Sequence, residues 1–212
     1  MTKFNNIPLF AQPVSYTNFE HINENDKKSL YNLEYFRPEN SNCWFSKSKY
    51  VLDEPQFSIL KSHIMNCMND YVENVLGIGD VKGNKFEFYM CNSWLVKHSK
   101  GDYGTKHEHP NSLISGILYL SVDNESGKIY FHRNNLLNLF FPLMEIPVKT
   151  YNIYNSKTWN FQPENNQLFF FPSSLEHSID PHQSDIERYC LVFNFFARGK
   201  LGYSPITQLT LN

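Results

Sequence analysis

The chain has 212 residues, 16% aromatic and 19% charged, with a net charge of −2. That length suits one domain with a sizeable buried core, and the near-neutral balance leaves no electrostatic footprint for a nucleic-acid partner. The opening MTKFNNIPLF has no apolar signal-peptide core, and no apolar run approaches the roughly 18 residues that span a bilayer, so a soluble, cytoplasmic protein with no membrane partner is expected.

In chain order, 4–14 (FNNIPLFAQPV) alternates apolar residues between two prolines and is expected to be an edge strand or extended arm. Residues 18–34 are polar, with Phe19, Ile22, Leu30 and Leu33 at loosely helical spacing. An irregular segment follows over 36–50. A second helix is predicted over 54–76 from the stripe Phe57, Leu60, Ile64, Cys67, Met68, Tyr71 and Val75, with Gly77 as its stop. Beyond Gly83 the period drops from about 3.6 to 2. Strands are predicted at 85–96, 113–122, 128–132, 148–154, 158–161, 167–171 and 186–196, with a turn at 98–105 and an insertion at 134–143. The four cysteines, Cys43, Cys67, Cys91 and Cys190, show no C-x-x-C spacing and read as reduced thiols.

Two helices followed by short, evenly spaced strands predict a mainly β fold with flanking helices, a cupin-like jelly roll. The expected organisation is a single domain over 1–212, with a helical support region at 1–80 and a jelly-roll core at 84–200. In the last strand Tyr189, Leu191, Phe193 and Phe195 form an apolar face suited to lying under the helices. Arg188, Cys190, Val192 and Asn194 form a second face, polar at both ends, suited to a lumen that holds a polar ligand.

His107 and His109 are one residue apart, and on an extended strand both project to one face. A helical zinc-protease pattern would need a second His at position 111, which is Asn111, and Pro110 would break that helix. The pair therefore reads as half of a metal site. His177 lies beyond the strand that Pro172 ends, and Arg188 follows after a loop short enough to set both side chains in one cavity.

The order His-x-His, distant His, Arg on a β-rich chain resembles the iron(II)- and 2-oxoglutarate-dependent dioxygenases, most closely a prolyl-4-hydroxylase-like subfamily of oxygenases from bacteria and phages. The motifs are Gly101-Asp102-Tyr103, His107-Glu108-His109-Pro110, Ser115-Gly116-Ile117-Leu118-Tyr119, Phe171-Pro172-Ser173, His177, and Arg188 with Phe193-Asn194. Leu9-Phe10, Pro13-Val14 and Asn42, Trp44, Ser46 resemble the amino-terminal segment, with Cys43 standing where a Gly usually precedes the Trp. The resemblance spans nearly the whole chain.

It implies a double-stranded β-helix in which His107, His109 and His177 coordinate iron(II). 2-Oxoglutarate is then the cosubstrate, its distal carboxylate clamped by Arg188 and reached by Tyr119. O2 and an unidentified substrate complete the reaction, which is hydroxylation with release of succinate and CO2; self-association is left open. His109 departs from the usual two-His-one-carboxylate triad, and Cys190 stands where a small hydroxyl residue is common.

Blander readings exist for each residue. His107 and His109 could be solvated turn residues, and His177 could close a turn with His182 as rival ligand, although His182 reads as a solvated loop residue. Arg188 could pair with Glu187 or Asp185, and Tyr119 could be plain core. His98 and His132 read as structural or exposed, and His21 and His63 as irrelevant to chemistry. Two other functions compete: a cupin-like metalloprotein that uses no 2-oxoglutarate, and a non-catalytic jelly-roll binding protein.

Overall fold

The computed structural model describes residues 5, 7–79, 86–133, 147–202, 204 and 206–211. The insertion expected at 134–143 lies outside them.

The first helix is shorter than the periodicity suggests, because a side-chain cap fixes its start, and the second stretch is helical over nearly the expected span. Helix α1 covers Glu24–Tyr31. Asn23 caps it, its Oδ1 accepting from the Asn25 and Asp26 amides at 2.9 Å each, and the Asp26 carboxylate accepts in return from the Asn23 amide. Strand β1, Ser15–Asn18, ends ahead of the cap, and residues 19–22 join the two without helix or strand. No strand occupies the described part of 4–14. Pro55 opens a short 3-10 turn, Pro55–Phe57, that leads into α2, Ser58–Asp70. A π-helical turn at Tyr71–Val75 follows, and Gly77 ends it at φ 64°. Leu60, Ile64 and Met68 supply the buried stripe of α2. Val75, counted into that stripe from spacing, is half exposed.

Two short strands, β2 (Tyr35–Phe36) and β3 (Trp44–Ser46), sit within the segment read as irregular. The remaining strands are β4 (Phe86–His98), β5 (Gly104–His107), β6 (Ile114–Ser121), β7 (Ile129–His132), β8 (Thr158–Phe161), β9 (Gln167–Pro172), β10 (His177–Ile179), β11 (Arg188–Leu201) and β12 (Leu209–Leu211). One sheet runs β1-β9-β6-β11-β4-β3-β2, with β12 also on β11, and the other runs β5-β10-β7-β8. The strand expected at 148–154 is absent. The side-chain oxygens of Asn155 and Asn152 accept from the Asn152 and Tyr154 amides at 2.8 Å each and turn the chain instead. Among the described residues no helix is long and apolar enough to cross a membrane, and all four cysteines are free.

Strand β11 divides the core in two. Leu191, Phe193 and Phe195 pack with Leu60, Ile64 and Met68 of α2 on the outer face, as its alternation predicts. Cys190 and Val192 point inward to a second cluster with Ile117 and Tyr119 of β6, Phe169 and Phe171 of β9, and Phe131 of β7. The site residues lie on that inner face.

Strand β4 reverses phase partway along. The β11–β4 ladder slips between Asn194, opposite Asn92, and Phe195, opposite Met90, leaving Cys91 as the extra residue. Before the slip Phe88 and Met90 pack on the outer core, and after it Trp94 and Val96 pack on the inner one.

Gly116 of β6 is dictated by packing. A Cβ there would lie 2.2 Å from Cε2 of Phe193 and 3.1 Å from the Phe169 carbonyl oxygen, so the outer face of β6 must stay bare for the Phe193 ring. Gly116→Ala is expected to cost about 1–3 kcal/mol of stability as overpacking, read from denaturant unfolding. Phe193→Leu in the same chain should recover part of that loss.

Candidate metal centre and anion pocket

Strand β5 ends at His107, which pairs with His177 of β10. His109 lies past the strand end and is not strand-borne as expected. The chain turns there through Pro110 and Asn111, the latter at φ 59°, and the His109 amide donates to the Ser173 carbonyl at 3.0 Å. The three imidazoles nonetheless converge. Ring centroids lie 5.3 Å apart for His107–His109, 4.3 Å for His107–His177 and 5.0 Å for His109–His177. One nitrogen from each falls within 4.8 Å of the other two, a group that can hold a metal ion.

In each ring Nδ1 is engaged. It meets the Thr105 carbonyl at 2.7 Å in His107 and the Leu175 carbonyl at 3.0 Å in His177. In His109 it meets Ser115 Oγ and Asn194 Oδ1, both at 2.8 Å. A carbonyl oxygen only accepts, so Nδ1 of His107 and His177 carries the proton and Nε2 keeps its lone pair for a metal. Ser115 also donates to Asn194 at 2.7 Å and meets Ser173 at 2.8 Å, so residues from β6, β9 and β11 or their ends brace the His109 ring. These three supports sit inside motifs noted in the sequence, but which His they would hold could not be read from spacing.

His109 and His177 are buried and His107 is exposed, so the cluster faces solvent on the His107 side. Burial pushes the His109 imidazole down to about 4, the Asn194 contact partly opposing this and His107 adding to it. Burial, then His107 and His109, push His177 down to about 3. Both are neutral at neutral pH, as metal ligands must be.

Arg188 opens β11 and is 1% exposed. Its candidate surface partners are engaged elsewhere: Asp185 with Lys100 at 2.7 Å, and Glu187 with Lys97 at 3.1 Å. The guanidinium carbon lies 5.3 Å from the centroid of the Tyr119 ring, and Arg188 Nε and Nη1 and the Tyr119 hydroxyl have no hydrogen-bond partner among the described residues. Burial raises the Tyr119 phenol well above its usual pKa, so it is a donor. A buried cation without a counter-charge costs several kcal/mol, and donors facing a lumen match an anion.

The other histidines divide differently from expectation. His182 is fully buried rather than solvated. Its Nε2 meets the Ile186 carbonyl at 2.6 Å and its backbone ties to Asp102 and Gly101, so it stands apart from the cluster as a structural residue. His132 meets Ser178 at 2.9 Å. His98, placed by sequence in a turn, is the buried last residue of β4. His21 and His63 stack with centroids 4.0 Å apart, away from the site. Trp94, not singled out from sequence, stands beside His109 at 5.7 Å between centroids.

Residues 92–194 match the family model described as "Putative 2OG-Fe(II) oxygenase". An oxidoreductase of the 2OG-Fe(II) oxygenase family from Burkholderia pseudomallei superposes with a TM-score of 0.57 at 11% identity, over 86% of this chain and 83% of that one. HygX from Streptomyces hygroscopicus, solved with nickel, 2-oxoglutarate and hygromycin B, gives 0.56 at 10% identity over 87% and 82%. A Pseudomonas putida prolyl-4-hydroxylase gives 0.53 at 14% identity over 90% and 96%. What these structures share with the chain is the double-stranded β-helix fold. A curated relative, an ATP-dependent helicase/nuclease protein from Lactiplantibacillus plantarum, is 25% identical over 136 residues, 60% of this chain, and the chain spans only 10% of its length.

The depressed imidazoles set the acid response of the metal-free protein. Below the ordinary His value of 6.5, the unfolded chain takes up protons that buried His109 and His177 refuse until about 4 and 3. Stability should therefore fall as pH drops from about 6.5 towards 4, by up to about 1.4 kcal/mol per unit for each group. Urea unfolding across that window should give a smaller slope for His177→Phe than for the parent.

Proposed function

We infer from membership of the 2OG-Fe(II) oxygenase family, to which residues 92–194 assign this chain, that it is a dioxygenase hydroxylating an as yet unidentified substrate. The observation that carries this reading is a buried Arg188, with Nε and Nη1 unpartnered among the described residues, on the same inner sheet face as Asn194, which braces one of three converging histidines.

The residues fit the groups the family implies. Nε2 of His107, His109 and His177 would hold iron(II), with both buried rings neutral and every Nδ1 already engaged. Arg188 would hold the distal carboxylate of 2-oxoglutarate, with the Tyr119 phenol as a second donor. Bound iron(II) and 2-oxoglutarate supply the oxidising chemistry, in which one atom of O2 ends in succinate as CO2 leaves and the other enters a substrate C–H bond. The chain's own contribution is orientation and exclusion of water. Ser115, Ser173 and Asn194 fix the His109 ring. Phe131 and Phe171, with ring centroids 6.2 and 5.0 Å from His177, close the cluster on its apolar side. Exposed His107 leaves the other side to the substrate, and half-buried Trp94 beside His109 is the nearest flat surface for it to meet.

Because all three ligands are neutral imidazoles, the metal would keep one more positive charge than over a two-His-one-carboxylate set. We read the whole chain as one oxygenase domain, with 1–80 as its helical support and 84–200 as its jelly-roll core. The four free cysteines support a reducing compartment, the cytoplasm.

Two measurements test the reading. Metal content after identical iron(II) loading should be lost in His107→Ala and His177→Ala and retained in His109→Asp, where a carboxylate restores the more usual ligand; equal loss in all three would mean that Asp cannot serve at that position. Calorimetric titration of metal-loaded Arg188→Ala with 2-oxoglutarate should show about 2–5 kcal/mol less affinity than the parent, as for one truncated partner of a buried charged pair. Affinity within a factor of two or three of the parent would show that Arg188 is not the clamp and would remove the main support for the oxygenase reading.

A further inference from the structure

His98 is 3% exposed, and neither of its ring nitrogens has a hydrogen-bond partner among the described residues. It stands directly opposite Arg188 in the antiparallel β4–β11 ladder, so the two side chains emerge on the same face with Cβ atoms about 5 Å apart. That face is the inner one, because Trp94 and Val96, on the same parity of β4, pack in the inner cluster. On the far side of β11, Tyr119 of β6 pairs with Cys190. Three neighbouring strands thus bring together five buried polar atoms without partners: both nitrogens of His98, Nε and Nη1 of Arg188, and the Tyr119 hydroxyl.

Each such atom costs about 1–3 kcal/mol if nothing ever meets it, and a fold does not concentrate five of them by accident of packing. Nearby acids do not answer them. Asp102 is held by Arg37 at 3.0 Å and by the Ser99 amide at 2.9 Å, and Glu187 by Lys97 and the Tyr189 hydroxyl. Arg188 offers only donors, the protonated phenol one, and a neutral imidazole one N–H. Burial first, then the charges of Arg188, His182 and Arg37, hold His98 in that neutral form. The complement of this set is a compact anion with several acceptor lone pairs.

Resting on the oxygenase reading above, we propose that His98 is a third member of the 2-oxoglutarate clamp, donating an imidazole N–H to the distal carboxylate that Arg188 and Tyr119 also hold. It positions the cosubstrate and takes no part in the chemistry at the metal. A three-donor clamp ties affinity to the distal carboxylate, so it should discriminate 2-oxoglutarate from chelators that lack one.

The test is calorimetric titration of the nickel-loaded protein with 2-oxoglutarate and, separately, with oxalate, which chelates a metal but has no distal carboxylate. His98→Leu and His98→Phe, which remove the donor, should weaken 2-oxoglutarate at least tenfold and leave oxalate within twofold. His98→Gln, which keeps an amide donor, should recover 2-oxoglutarate binding to within threefold of the parent. Melting temperatures of the ligand-free Leu and Phe variants should equal or exceed that of the parent, because an orphaned polar group has gone. 2-Oxoglutarate affinity within twofold in a folded donor-less variant overturns the proposal, and so does parallel loss of oxalate. Failure of both donor-less variants to fold also overturns it, since a group that serves a ligand is not required by the empty fold. If the nickel-loaded parent itself binds no 2-oxoglutarate, the oxygenase reading fails first and the clamp with it.

Discussion

A single strand, β11, must satisfy two solvents at once. Its odd residues Leu191, Phe193 and Phe195 are pressed against the helices. Its even residues Arg188, Cys190, Val192 and Asn194 line the interior, carrying a charge at one end and an amide at the other. Because a strand alternates with period 2, shifting the register by one residue would put the guanidinium into the aromatic core and a phenyl ring into the lumen. The pairing of β11 with both β4 and β6 holds that register from two sides. Site and core are in this sense one constraint, and Gly116 belongs to it, since its missing side chain admits the Phe193 ring that keeps the outer face full.

Two kinds of buried polar group follow, and they behave oppositely. Around His109 every group is answered: imidazole, two serine hydroxyls and the Asn194 amide form a closed network that fixes one ring. Around Arg188 the groups are unanswered. A satisfied network rigidifies, and an unsatisfied one waits for something. The two ends of the lumen are thus distinguishable by hydrogen bonding alone.

Much of this was legible in the sequence, and the rest was not, for identifiable reasons. The alternation of β11 named both of its faces correctly, because Arg188 to Phe195 run in one unbroken strand. The convergence of His107, His109 and His177 is visible in their order, although the geometric argument for the pair was only half right: His109 sits past the end of β5 and reaches the cluster through a turn rather than by strand parity. The start of the first helix was overcalled because the Asn23 cap acts on backbone groups that a hydrophobic stripe does not report. The strand read at 148–154 failed because Asn152 and Asn155 capture amides locally. His182 was judged by its polar loop in sequence, whereas burial is decided by neighbours in space.

The slip at Cys91 has its own consequence. The half of β4 before it turns even-numbered residues towards the helices, and the half after it turns even-numbered residues towards the lumen. One extra residue is absorbed at the slip, so number parity changes along β4 while each half keeps the face that β11 sets for it. Variation in residues 86–90 can therefore drift with the helical layer without disturbing Trp94 or His98. A one-residue deletion at the slip would leave Met90 next to Asn92, still opposite Phe195 and Asn194, so the ladder would run regularly with Met90 on the outer face and Trp94 on the inner one.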